Sequence, residues 1–234
     1  MRKEGSYTDS IIDNLIEELE CKTVFSIGGI GIAESVVVTW IIMAVLVIAS
    51  IFLTRNLKVE NPGKRQLALE AAVGGLFHFF DDILGRDGRR YVPYLMTVAL
   101  YIGVSNIIGI FGFKPPTKDL NVTIALAVMS IVLIEYSGFH KKGLKGFIRS
   151  FIEPVPVLLP INIMELFIKP VSLCMRLFGN ILGAFVIMEL LKAIVPAIVP
   201  IPFSAYFDLF DGLIQAYVFV FLTTLFMSEQ METE

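Results

Sequence analysis

The long uncharged stretches are the feature that most constrains this chain. Residues 36–53 form a run of 18 uncharged, mostly apolar side chains, long enough to cross the hydrocarbon core of a bilayer as a helix. Uncharged runs of 23 and 15 residues follow at 91–113 and 120–134, separated by a loop with two prolines, which end helices. Hydrophobic residues make up 56% of the chain and charged residues 18%, whereas soluble domains carry about 25% charged residues. The sequence therefore predicts an all-α, polytopic membrane protein.

We predict one membrane domain over residues 1–234, with five transmembrane helices. The predicted spans are 36–53, 91–113, 120–138, 156–193 and 202–228. The last two contain isolated charges and form a helix hairpin, because the Pro-rich segment 196–202 lies between them. Residues 1–35 are predicted as an outside segment, in which apolar residues between 11 and 19 recur at helical spacing. This amphipathic helix lies either on the membrane surface or against the protein's own spans.

Basic residues near the spans predict the orientation. Lys and Arg number seven in 55–90 and four in 139–150, but three in 1–35 and two in 114–119. Because loops rich in Lys and Arg stay in the cytoplasm, residues 55–90 and 139–152 are predicted as cytoplasmic-side segments. The N-terminus is then outside and the C-terminus cytoplasmic. Residues 1–20 lack the continuous apolar core of a signal peptide.

Other classes of function have little support in the sequence. The net charge is −3, so no basic field favours a nucleic-acid partner. The two cysteines have no metal-type spacing, and His78 beside two aspartates is typical of a surface helix rather than a metal site. We therefore expect no metal and no cofactor. The basic patch that begins at His140 is either a lipid-headgroup anchor or a subunit contact.

A polar stripe follows one face of the fourth predicted span, around Arg176. Its other members recur at intervals of three and four residues and are Asn162, Glu165, Lys169, Ser172, Asn180 and Gly183. A charge in mid-membrane costs roughly 2.5–3.5 kcal/mol, so such residues need a partner, a cavity or a function. Glu165 and Lys169 can neutralise one another, but Arg176 has no acid within one turn on its own face. An arginine keeps its charge where a lysine can lose its proton, which suits a permanent positive barrier.

The fifth predicted span repeats this pattern. Ser204, Asp208, Asp211 and Gln215 recur at intervals of four, three and four residues on one α-helical face. Two antiparallel helices can bring both stripes together as a charged seam that ends partway through the membrane, as an ion pathway requires. The alternative is that these polar groups only tie the last two helices together by hydrogen bonds.

At these residues the chain resembles a known family. The run 169–180, KPVSLCMRLFGN, closely resembles the S-L-x-x-R-L-F-G-N signature of subunit a of F-type rotary ATP synthases. The run 215–219, QAYVF, is similar to the I-Q-A-x-x-F segment of the same family. Asn106 and the loop 115–121, PPTKDLN, agree as well. The resemblance covers roughly residues 91–228.

The resemblance implies the static, ion-conducting subunit of a rotary motor, which is not a catalyst on its own. Its partners would be the ring of c subunits, the peripheral stalk b subunits and the lipid of a bacterial plasma membrane. Two half-channels would pass H⁺ or Na⁺ to and from the ring carboxylates and so couple ion flow to ATP synthesis. Which ion is carried is left open, because the ion-binding carboxylates belong to the ring.

The resemblance also implies roles for single residues. Arg176 would be the stator arginine that prevents a leak between the half-channels, with Asn180 and Gln215 beside it. Further pathway residues would be Glu165, Lys169, Ser172, Asn162, Asp208, Asp211 and Glu189. The chain departs from the family at Phe185, where many members have Glu, and at Asp208, where others have His or Glu. We therefore expect Asp208, with Glu189 or Asp211, to supply the polar function there.

Two other classes of function remain possible from the residues. A secondary transporter also places charges at mid-membrane, but it predicts paired internal repeats, and the arginine stripe has no counterpart in the first half of the chain. A membrane scaffold without transport predicts that Arg176→Ala leaves ion flux unchanged while it lowers assembly.

Overall fold

The computed structural model describes residues 23–27, 30–111, 113–150, 157, 159–194 and 200–232. The strands are β1 (Thr23–Ile27) and β2 (Ile30–Ala33). The helices are α1 (Glu34–Thr54), α2 (Lys64–Gly88), α3 (Val92–Ile107), α4 (Leu120–Ser150), α5 (Leu159–Ile194), α6 (Pro200–Ser204) and α7 (Gly212–Met231). Short 3-10 turns are found at Arg89–Tyr91, Ile108–Phe111 and Pro116–Lys118, and a π-helical segment at Ala205–Asp211.

Five helical stretches of the described chain are long and apolar enough to cross a membrane. They are Glu34–Thr54, Lys64–Ile110, Leu120–Leu144, Leu159–Met188 and Pro202–Met231. The prediction of an all-α polytopic membrane protein is confirmed. The second stretch is longer than the predicted span, because α2 occupies much of the segment 55–90 that the charge count assigns to the cytoplasmic side.

Two glycines interrupt the long helices. Gly85 in α2 has φ +64° and Gly143 in α4 has φ +70°, a left-handed conformation that glycine adopts at little cost because it lacks a Cβ atom. The residues that precede Gly85 and those that follow Gly143 are therefore not straight continuations of the adjacent spans. These breaks separate the amphipathic and basic segments from the apolar ones.

The start of the described chain differs from the prediction of helices alone. β1 and β2 pair antiparallel, a hairpin that the sequence pattern did not predict. The amphipathic helix predicted between residues 11 and 19 lies outside the described residues, as do residues 195–199 of the Pro-rich break. The side chains of α1 are mostly exposed, with Val38 and Ile42 buried, as expected of a helix whose apolar surface faces lipid.

Helices α3, α4, α5 and α7 share the apolar core. Its most deeply buried side chains include Leu95, Ile102, Ile134, Leu177, Phe219 and Met227. α7 packs on α2, α3 and α4, and α5 packs mainly on α4. α5 therefore lies beside α4, and one of its flanks is left exposed.

Polar contacts tie the loop between α3 and α4 to both neighbouring helices. Asp119 Oδ1 accepts a hydrogen bond from the backbone N–H of Asn121 at 2.9 Å, which caps the start of α4. Its other oxygen accepts the hydroxyl of Ser35 in α1 at 2.5 Å. These bonds hold the loop in place next to the polar residues described below.

Candidate functional site

Arg176 lies on the exposed flank of α5. Leu173 and Leu177 on the opposite side are buried in the core, whereas Met175 and Val171 beside the arginine are more than half exposed. Arg176 itself is exposed. Among the described residues it makes no hydrogen bond and no ion pair. The structure therefore presents a permanent positive charge on an apolar surface, without a partner within that part of the chain.

The next polar member of the stripe, Asn180, contacts the segment before α7. Its Nδ2 donates to Asp211 Oδ2 at 2.5 Å. Asp211 is the last residue of the π-helical segment, where the Gly212 N–H bonds the carbonyl of Phe207, five residues back. Because a π-turn advances less per residue than an α-turn, the α-helical register assumed for the second polar stripe does not hold over these residues. Among the side chains that the structure describes, the predicted meeting of the two stripes is seen at the pair Asn180–Asp211.

Gln215 lies one turn further along, in the interior of the bundle. It is 6% exposed, and its Nε2 has no hydrogen-bond partner among the described residues. The Asn106 side chain, by contrast, is paired at both ends: its Nδ2 donates to the Gly212 carbonyl at 2.9 Å, and its Oδ1 accepts from Thr117 Oγ1 at 2.8 Å. An amide donor that is buried without a partner costs free energy. It is therefore a candidate for hydrogen bonding in a functional state.

Lys169 is surrounded by carboxylates from more than one helix. Its Nζ lies 3.3 Å from Glu165 Oε2 on α5 and 3.2 Å from Glu229 Oε2 on α7. Glu135 of α4 is within electrostatic range of this ammonium, and one of its oxygens is buried without a hydrogen bond in the described structure. The pairing of Glu165 with Lys169 agrees with their spacing.

Glu135 and Glu229 were not among the predicted site residues. Glu135 immediately follows the uncharged run 120–134, and Glu229 belongs to the acidic tail. Both positions looked like ordinary ends of membrane spans. A count of like charges gathered at one end of neighbouring helices is the signal that could have found them.

The remaining predicted residues are less closely gathered. Ser172 is exposed on α5, and Asn162 and Ser204 have further interactions and are partly buried. The backbone of Glu189 and Asp208 is helical, but their side chains lie outside what the structure describes. The proposed contribution of these two acids stays a prediction.

Phe185, where the resemblance departs from its family, has a cationic neighbour. The Nζ of Lys118 in the α3–α4 loop lies 3.3 Å from the centre of the Phe185 ring. A cation over an aromatic face is an attractive arrangement. Lys118 and Phe185 thus tie the α3–α4 loop to α5.

The basic patch lies at the end of the helix bundle opposite to Lys118 and Phe185. Arg90 Nη1 lies 2.6 Å from His140 Nε2, and since a guanidinium only donates, the imidazole nitrogen accepts. Lys141 is paired with Asp87. Two members of the patch are thus bound within the chain, and the choice between headgroup anchor and subunit contact stays open. No three His, Cys, Asp or Glu side chains of the described residues lie close enough together to hold a metal ion.

Comparisons with known proteins agree with the motifs. The family described as ATP synthase A chain matches residues 36–228. A protein of Moorella thermoacetica named ATP synthase subunit a is 39% identical over 206 residues, which are 88% of this chain and 94% of the relative. The sodium ion specific ATP synthase subunit a of Propionigenium modestum is 33% identical over 215 residues, 85% of this chain and 74% of the relative. ATP synthase subunit a 2 of a Bradyrhizobium strain is 37% identical over 204 residues, 87% of this chain and 91% of the relative.

Proposed function

Since the chain belongs to the family of ATP synthase subunit a, we propose that it is the stator subunit that carries ions to and from a rotating ring of c subunits. Family membership makes it a component of an ATP synthase complex, and its apolar helices make it a membrane protein. Two half-channels, formed by this chain together with the ring, pass H⁺ or Na⁺ and couple that flow to ATP synthesis. The comparisons favour this function over a secondary transporter.

The observation that carries the proposal is the position of Arg176. Its charge lies on an exposed apolar flank without a partner within the described chain. A guanidinium in that environment is stabilised by a carboxylate from outside the chain. A ring carboxylate that arrives opposite Arg176 forms this pair and releases its ion. The charge also repels a cation that would cross directly from one half-channel to the other.

The polar residues on either side of Arg176 suit the two half-channels. Asn180, Asp211 and Gln215 lie at one end, with Asp208 and Glu189 as proposed further members. Lys169, Glu165, Ser172 and Asn162 lie towards the other end, which the positive-inside rule assigns to the cytoplasm. We place the N-terminus outside and the C-terminus inside a bacterial plasma membrane, with the peripheral stalk b subunits as additional partners.

ATP-driven ion pumping in vesicles that contain the assembled complex tests the proposal. We expect Arg176→Ala to abolish pumping while the complex still assembles. Arg86→Ala removes an exposed arginine of α2 and is the matched control, which we expect to pump normally. Normal pumping by the Arg176→Ala complex would contradict the proposal.

The identity of the ion needs a separate measurement, because the carboxylates that bind it belong to the ring. The same vesicles are assayed with and without Na⁺ and with a protonophore. Pumping that requires Na⁺ and resists the protonophore identifies Na⁺. Pumping that is independent of Na⁺ and is collapsed by the protonophore identifies H⁺.

A further inference from the structure

Two polar contacts hold α5 against the last helical region, one on each side of Arg176. Asn180, four residues after the arginine, bonds Asp211. Lys169, seven residues before it, pairs with Glu229 near the end of α7. At a rise of 1.5 Å per residue, these contacts lie about 6 Å and about 10 Å from Arg176 along the helix axis. We call the pair Lys169–Glu229 the inner clasp.

The inner clasp is a partly buried, charged contact. The Lys169 side chain is 11% exposed, whereas those of Glu165 and Glu229 are 47% and 59% exposed. The ammonium also lies 5.2 Å from the centre of the Phe226 ring on α7. Lys169 therefore joins α7 by a carboxylate and by an aromatic face, and it keeps two glutamates of different helices close together. Without the ammonium these glutamates repel one another.

Much of the apolar surface of α5 before Arg176 is exposed. Ile161, Met164 and Phe167 are each more than half exposed, so these three side chains add little apolar packing at this end. Pro170 lies within the helix next to Lys169. A proline has no N–H for the carbonyl four residues earlier and so weakens the helix at that point. The inner clasp thus acts on a helix segment that Pro170 weakens at its end.

We infer that Lys169 is a positioning residue of the ion pathway: through Glu229 it holds the segment 159–169 against α7, and so keeps the cytoplasmic half of the polar stripe aligned with Arg176. This inference rests on the proposed function. When the clasp is broken, the segment moves about Pro170 and its polar residues no longer line one path. ATP hydrolysis by the complex then continues with less ion transport.

The test is the ratio of ion pumping to ATP hydrolysis in vesicles with the assembled complex. For Glu229→Gln and Lys169→Met we expect this ratio to fall roughly two- to thirtyfold, the range for contacts that act through other residues. We expect Lys169→Arg, which keeps the positive charge, to retain a much higher ratio than Lys169→Met. A residue needed only for folding would lower the amount of complex and leave the ratio per complex unchanged.

Glu232→Gln is the matched control. Glu232 lies at the same end of α7, is exposed, and forms no ion pair among the described residues. We expect its ratio to equal that of the unaltered complex. If the Lys169→Met chain does not assemble, Glu229→Gln decides the matter, because it alters an exposed side chain and leaves the lysine in place. A normal ratio for Glu229→Gln would overturn the inference, as would equal losses in Glu229→Gln and Glu232→Gln.

The Arg176→Ala complex, measured in parallel, separates this inference from the proposed function. Loss of pumping in Arg176→Ala together with a normal ratio in Glu229→Gln overturns the inference alone. Normal pumping in Arg176→Ala overturns the proposed function and the inference with it.

Discussion

Asn106 and Arg176 both place strongly polar groups in apolar helices, but their surroundings are opposite. Asn106 is 4% exposed and uses its amide nitrogen and its oxygen for the Gly212 carbonyl and the Thr117 hydroxyl. Arg176 is exposed and bonds nothing in the described chain. A satisfied polar group stabilises the contact between helices. A charge on an outer face that no described residue neutralises is available to a partner outside the chain. The surroundings of each polar group, rather than its polarity, thus separate a structural role for Asn106 from the role proposed for Arg176.

The largest expected effect is that of Arg176→Ala on transport. We expect a loss of ion pumping by roughly a hundredfold or more, as when a preorganised charge is removed from a reacting site. Assembly should be unchanged, because Arg176 holds no other described residue. Vesicle pumping and the yield of complex measure the two effects. A large loss of assembled complex would mean that Arg176 resembles Asn106 and is structural.

Asn106→Leu should show the reverse pattern. The substitution leaves the Thr117 hydroxyl and the Gly212 carbonyl without their partner, at a cost of about 1–3 kcal/mol for a buried polar group. Thermal unfolding of the purified complex should therefore begin at lower temperature. Pumping per intact complex should stay near normal. A complex of normal stability that cannot pump would place Asn106 in the pathway itself.

Gly212 and Gly179 extend the comparison between the buried Asn106 and the exposed Arg176. A Cβ atom at Gly212 would lie 2.9 Å from Asn106 Cβ, whereas one at Gly179, beside the arginine, would meet nothing within 4 Å. Gly212→Ala should therefore destabilise the protein by about 1–3 kcal/mol through overpacking. Gly179→Ala should not lower the stability of this chain. Equal destabilisation in a thermal unfolding assay would contradict the difference in packing.

A bulkier side chain at Gly179 should keep the c subunits from approaching the surface beside Arg176. Gly179→Leu should leave the amount of chain in the membrane unchanged, but it should reduce the amount of c subunit recovered with it. Normal recovery would mean that the surface beside Arg176 faces lipid.

The smallest expected effect concerns Asp119. Asp119→Ala removes the cap of α4 and the acceptor for Ser35, and the loss of a helix cap costs about 1 kcal/mol. Thermal unfolding should shift slightly, and pumping per complex should be unchanged. A strong transport defect at normal stability would make this loop part of the ion entrance.

Much of the fold could be predicted, because few backbone structures are stable in the hydrocarbon core of a bilayer. An uncharged run must form a helix that satisfies its own backbone, and the runs starting near residues 36, 91 and 120 do so in α1, α3 and α4. The polar stripe around Arg176 could likewise be predicted, because it depends only on spacing along one helix. The π-helical segment Ala205–Asp211 could not, since nothing in the spacing of its residues marks a change from α-helical turns.

Of the two ion pairs of Lys169, the sequence could predict only one. Its pairing with Glu165 follows from a spacing of four residues, but its pairing with Glu229 depends on how α5 and α7 lie against one another. The same holds for Lys118 over Phe185 and for Asn180 with Asp211, whose partners come from different helices or loops.

The amino-acid sequence alone determined that this protein lies in a membrane, that it is built of long apolar helices and which family it belongs to, because each of these depends on local composition or spacing. Packing of the helices was needed to show that Arg176 is exposed while Gln215 is buried, and that glutamates of α4 and α7 lie near Lys169. These contacts join residues far apart in the chain, and their geometry depends on how the helices pack around a shared core.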